Sequence, residues 1–154
     1  MRRGRRLGVD AGEARIGVSA CDPDGLLATP VETVPARDAS AAQRRLAELV
    51  AEYEPIEVVV GLPRSLHGGE GPAAARARAF AQRTARRIAP VPVRLVDERL
   101  STVSAAREMR ASGVSAKRGR SRIDQAAAVV ILQSALDTER ASGRPPGENV
   151  EVVV

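Results

Sequence analysis

Apolar residues along the 154-residue chain recur with two periods, and the changes between those periods divide it into elements. Leu7 and Val9 alternate with Gly8 and Asp10, the period of a strand. Gly12 supplies a tight turn through the φ > 0 freedom of glycine, and Ile16 to Val18 predicts the return strand. Asp22-Pro23-Asp24-Gly25 has hairpin-turn chemistry and Leu26 to Val34 reads as a third strand, so the chain opens as an antiparallel meander. From Ser40 to Tyr53 the period becomes helical, with Ser40 and Gln43 as a capping box and Leu46, Leu49, Val50 and Tyr53 on one face. Pro55 stops this helix. Ile56 to Val60 is continuously apolar, as expected of a strand buried on both sides, and Gly61-Leu62-Pro63 leads into the glycine-rich loop RSLHGGEG.

Gly71-Pro72 predicts the start of a second helix, with an apolar face through Ala77, Phe80, Ala81, Thr84, Ala85 and Ile88. Val91 to Asp97 is a fifth strand, with Glu98 at its carboxyl end. Ser101 or Thr102 can cap a short helix reaching Met109. Gly113 to Ser121 is aperiodic and basic, the pattern of a mobile loop. A last helix runs from Ser121 to about Arg140, with Ile123, Ala127, Val130 and Ser134 along one side. The composition then changes to that of a loop. The expected organisation is one domain over 1–140 and a flexible tail over 141–154.

The order is β-β-β-α-β-α-β-α-α. A right-handed crossover from the third strand to the fourth makes the first, fourth and fifth strands parallel. The expected fold is therefore α/β: a five-stranded mixed sheet with helices on both faces. Ligand sites in such sheets lie at the carboxyl ends of the strands, where Asp10 and Glu98 share one rim. Asp10 alone has an ordinary structural explanation, accepting N–H bonds from its own turn.

Composition narrows the function. The formal charge of +5 points to a polyanionic partner, although an arginine-rich composition contributes to that charge. The aromatics are Phe80 and Tyr53, which argues against a surface that stacks exposed bases. Nucleic acid would be held through its phosphates. Cys21 is the one cysteine, so neither an internal disulfide nor a cysteine zinc site can form, and a reducing compartment is expected. The start MRRGRRLG lacks the apolar run of an export signal, and no stretch reaches a membrane span of ~20 residues. The expected location is cytoplasmic.

Four stretches together resemble one family: GVDAGEARIGV (8–18), VVVGLP (58–63), VDERLST (96–102) and IDQAAAVVILQ (123–133). They are similar to the YqgF/RuvX family of pre-16S rRNA nucleases, Holliday-junction-resolvase-like proteins of the RNase H fold. The resemblance implies metal-dependent hydrolysis of phosphodiester bonds, in processing the 5′ end of the 16S rRNA precursor. It also implies that Asp10, Glu98 and Asp124 are catalytic carboxylates and metal ligands. The chemistry agrees: Mg²⁺ or Mn²⁺ takes oxygen ligands, and two ions ~3.5–4 Å apart can activate water and stabilise the leaving oxygen. With three carboxylates, the second ion would bind only with substrate. Two unscreened carboxylates at ~4 Å repel by ~4 kcal/mol at an effective dielectric of 20, so such a cluster holds a proton or a cation.

The chain departs from the related resolvases in carrying Gly61 at the end of the fourth strand, where they have a carboxylate. It also has Ser121 and Gln125 near Asp124, where they have a further acid or histidine. Gly61, lacking a side chain, would leave room for Glu98 to reach across that strand toward Asp10. Each carboxylate has a plainer reading as well. Ser121 to Asp124 is a capping box, and Glu98 could pair with Arg94 or Arg99 at the rim. Asp97 alternates to the face opposite Glu98. Arg15, Arg99, Lys117, Arg118, Arg120 and Arg122 are the candidate phosphate contacts, and His67 has no identifiable catalytic partner. The expected partner is an rRNA precursor, within a ribosomal particle or free, bound by a monomer or weak homodimer. Two other functions stay open: a Holliday junction resolvase acting on DNA, and a non-catalytic RNA- or ribosome-binding module.

Overall fold

The structure is a computed structural model, and it describes residues 1–65, 67–98 and 117–152, with only the backbone of 117–122. Among these residues lie six strands: β1 (Arg6–Ala11), β2 (Arg15–Cys21), β3 (Ala28–Pro35), β4 (Glu57–Leu62), β5 (Val93–Asp97) and β6 (Glu148–Asn149). Three helices accompany them: α1 (Ala39–Tyr53), α2 (Pro72–Ile88) and α3 (Lys117–Ser142). The sheet order is β3-β2-β1-β4-β5-β6. As the crossover argument requires, β1, β4 and β5 are parallel, and β2 and β3 are antiparallel additions at one edge.

The sheet has six strands instead of the expected five. The segment after 140, expected to be a flexible tail, supplies the sixth by pairing antiparallel with β5. Arg94 on β5 reaches the carbonyl oxygens of Pro146 and Gly147, and Val150 is buried in the main core. The composition of 141–147 is indeed that of a turn. The three apolar-alternating residues that follow it were too few to stand out as a strand.

Period-two alternation sorts each strand onto two faces. Leu7, Val9, Val18, Val58 and Val60 pack beneath Leu46 and Leu49 of α1 and Phe80 and Ala81 of α2. Val59 and Val96 face the other way, against Ala127, Ile131, Leu132 and Leu136 of α3. The buried stripe of α3 thus follows Asp124, Ala127, Ala128, Ile131, Leu132, Ala135 and Leu136. Val130 and Ser134 are not fully buried and lie to one side of the expected line, whose steps of three and four drifted around the helix.

Local details also differ. The N-cap of α1 is Asp38, whose carboxylate accepts the Ala41 N–H, and Gln43 instead donates to Thr84 Oγ1 on α2. Gly12 does not adopt a positive φ. Glycine is required there because its Cα meets the Arg15 carbonyl, which would stand 2.5 Å from an added Cβ. The helix beginning at Lys117 replaces the last part of the loop expected over 113–121. The short helix expected over 101–109, the loop's first part over 113–116 and Arg99 lie outside the described residues.

Candidate active site

Asp10 is the centre of the site because of what flanks it. It pairs directly with Gly17 on β2. On its other side it stands one residue beyond the Val9–Val60 pair, level with Gly61 of β4, which in turn pairs with Val96 on β5. Val9 is in the core under α1 and α2, so Asp10 points to the face covered by α3. The only Asp10 neighbours in its row that lack side chains are these two glycines, and the other two carboxylates come in above them.

Asp124 comes in from α3 on the Gly17 side. A Cβ on Gly17 would lie 2.0 Å from the Asp124 carbonyl oxygen, so the helix backbone rests on the strand with no side chain between. Small residues continue this contact. Ser19 Oγ donates to the Ala128 carbonyl at 2.7 Å, and a Cβ on Gly8 would sit 2.6 Å from Leu132 Cβ. Asp124 is 1 % exposed, and Arg15 Nε donates to its Oδ2 at 2.8 Å. Since α3 begins at Lys117, Asp124 lies two turns inside the helix. It is therefore not the end of a capping box, and it receives no first-turn dipole stabilisation.

Glu98 comes in on the Gly61 side. Its Oε2 lies 2.5 Å from where a Gly61 Cβ would be, so the carboxylate crosses over β4 through the space that glycine leaves. It is 4 % exposed, and its backbone N–H donates to Leu62 O at 3.3 Å. Arg94 is committed to the C-terminal segment and stands 4.0 Å from Glu57, so it is not the rim partner of Glu98. Asp97 points away and is exposed, with Arg64 at 3.8 Å.

Asp10, Glu98 and Asp124 are thus all buried along one row at one rim. Among the described residues, no three His, Cys, Asp or Glu side chains are gathered closely enough to hold a metal ion as they stand. Asp124 instead holds a guanidinium. Of the candidate phosphate contacts, Arg15 is at the site and one-third exposed. The side chains of Lys117, Arg118, Arg120 and Arg122 and all of Arg99 lie outside the described residues. His67 is exposed on the loop after β4. Sequence reasoning missed Gly8, Gly17 and Ser19 as the seat of α3. Their signal is the run of small residues at alternate positions in strands that are otherwise Val-rich.

The RuvX family profile, described as Holliday junction resolvase, matches residues 4–138. The chain belongs to the RuvX family. Among the relatives of this RuvX chain, a protein of Streptomyces coelicolor is 75% identical over 154 residues, covering 100% of this chain and 92% of its own length. One of Streptomyces avermitilis is 73% identical and is covered over 99% of its length. Both carry the name "Putative pre-16S rRNA nuclease". The structure is similar to Thermus thermophilus RuvC in complex with Holliday junction substrate, with a TM-score of 0.58 and 17% identity, covering 92% of this chain and 99% of that one. The RuvX chain therefore has the RuvC-like RNase H fold. No helix among its described residues is long and apolar enough to cross a membrane.

Proposed function

We propose that this RuvX chain is a metal-dependent nuclease that hydrolyses phosphodiester bonds in the 16S rRNA precursor. The observation that carries this reading is the burial of Asp10, Glu98 and Asp124 in one row at the carboxyl rim, with a glycine on each side of Asp10. Three carboxylates buried along one rim suit a cation, and their oxygen donors fit Mg²⁺ or Mn²⁺. Two near-full-length relatives named for pre-16S rRNA favour RNA as the substrate.

Asp10, Glu98 and Asp124 would hold the metal, with Arg15 released from Asp124 to a substrate phosphate. The metal supplies an activated water and stabilises the leaving oxygen. Arg15, exposed on one side and bonded to Asp124 on the other, orients a non-bridging phosphate oxygen. Arg99 and the basic residues 117–122 hold flanking phosphates, which fixes the substrate without reading its sequence. Trimming one precursor end needs one site, so the protein acts as a monomer or weak homodimer, whereas cutting a four-way junction needs a symmetric pair.

The test is cleavage of a 16S precursor fragment and of a four-way DNA junction, with Mg²⁺, with Mn²⁺ and with a chelator. The expected result is metal-dependent cleavage of the RNA that is lost in Asp10→Asn while its melting temperature is kept. Cleavage of the junction alone would establish a resolvase. RNA binding without cleavage under any metal would establish a binding module.

A further inference from the structure

We propose that the outer face of α2, together with the first turns of α1, is a second phosphate-binding surface that holds the backbone of structured RNA beyond the point of cleavage. The proposal rests on the reading that this chain acts on RNA, and it places a contact on the sheet face opposite α3.

Helix α2 is one of the strongly basic stretches of the chain. Helix α2 carries Arg76, Arg78, Arg83, Arg86 and Arg87 and no acidic residue, a formal +5. That equals the net charge of the whole protein, so all other residues together sum to zero. Elsewhere arginines are mostly neutralised locally, as Arg45 is by Glu32 and Glu48. On α2, Arg78 is taken up by Glu70 and Glu148, and Arg76 has Glu13 at 3.9 Å. Among the described residues, Arg83, Arg86 and Arg87 have no salt bridge.

These three arginines, at i, i+3 and i+4, share one face of α2. They line a depression of about 360 Å³ with Ala39, Ser40 and Gln43 of α1. Cations at the end of α2 complement its own dipole, which accounts for Arg86 and Arg87 in the last turn but not for Arg83. The facing wall is the N-terminal turn of α1, whose dipole is capped by the Asp38 carboxylate, so the positive charge of the depression comes from the three arginines of α2. A bound anion relieves the repulsion among them.

The shape selects a chain of phosphates over a single ion. A second depression of about 170 Å³ shares Ala39, Gln43 and Arg83 with the first and continues to Arg76, Gly12 and Glu13. From Arg76 to Arg87 the row spans about 16 Å of helix at 1.5 Å per residue, which matches roughly five nucleotide steps of ~3.4 Å along a stacked strand. Its near end is the β1–β2 turn that directly follows Asp10, so the row is continuous with the carboxylate rim. Phe80, which lines the second depression, is buried and offers no stacking face, and the contact is therefore with backbone.

The experiment measures binding of the full chain to a long structured RNA in chelator, so that no cleavage occurs, across a series of salt concentrations. Replacing Arg83, Arg86 and Arg87 together by Ala should reduce the slope of log K against log salt by about two to three units. The triple Lys variant should keep the wild-type slope. A variant with Arg3, Arg5 and Arg144 replaced by Ala makes the same change in net charge elsewhere on the surface, and it should also keep that slope. A wild-type slope in the first variant overturns the proposal, as does an equal loss in the first and third. An acidic protein as the true partner of this face would give the wild-type slope. Failure of the nuclease reading registers separately, as RNA binding without cleavage under any metal.

Discussion

Glu98 occupies the volume that a side chain on Gly61 would need, its Oε2 standing 2.5 Å from the position of that Cβ. Ile131 Cδ1 of α3 stands at the same distance from that position. The glycine at the end of β4 thus leaves room for a carboxylate from beyond β5 to cross toward the row that contains Asp10. Gly61→Ala should displace Glu98 and overpack the seat of α3, costing about 1–3 kcal/mol of stability. Cleavage should fall more than the melting temperature alone explains. Full activity at the wild-type melting temperature would show that the shared space is not needed.

Gly17→Ala should be worse. Its Cβ would meet the Asp124 carbonyl at 2.0 Å, and a helix backbone cannot rotate aside as a side chain can. The expected loss exceeds that of Gly61→Ala, about 3 kcal/mol or more, read as a lower denaturant midpoint. If Gly17→Ala proves the milder of the two, α3 does not rest on the strand as described.

Arg15 neutralises Asp124 through a 2.8 Å bond, and one-third of its side chain is exposed. Removing the guanidinium from a buried carboxylate should cost Arg15→Ala about 1–3 kcal/mol. Millimolar Mg²⁺ or Mn²⁺ should return part of that by binding the folded state. The metal-induced rise in melting temperature should therefore be larger in Arg15→Ala than in the wild type. An equal rise would mean that Arg15 does not compete with the ion.

At the other end of the sheet, Arg2 and Arg6 hold Glu139 from the end of α3, and Arg2 also holds Glu57. Burial pushes the Glu139 carboxyl up, but hydrogen bonds from Arg2 and the charge of Arg6 outweigh it, leaving the group below its ordinary 4.5. Arg45 likewise holds Glu32 below that value. Groups depressed in the folded state add stability above pH 4.5, and that stability is lost as pH falls through their folded values. Melting temperature should be steady above about pH 5 and fall below 4.5, with a shallower fall in Glu139→Gln. An identical acid limb in that variant would remove Glu139 from the account.

The order and pairing of the first five strands were legible because alternation, hairpin turns and the handedness of crossovers are local or chiral rules. They placed Asp10 and Glu98 on one rim and opposed Asp97 to Glu98, as the structure has them. Three features were decided only in three dimensions. The sixth strand, Glu148–Asn149, is too short to carry a period and exists because β5 offers it an edge. Asp124 resembled a helix cap because Ser121 precedes it at the right spacing, whereas the helix starts at Lys117. The seat of α3 depends on Gly8, Gly17 and Gly61 meeting side chains and backbone far away in the chain. A pattern of residues determines which face each side chain takes. How closely two elements approach, and therefore which carboxylates meet, is set by volume shared between distant segments, and only the folded packing fixes that volume.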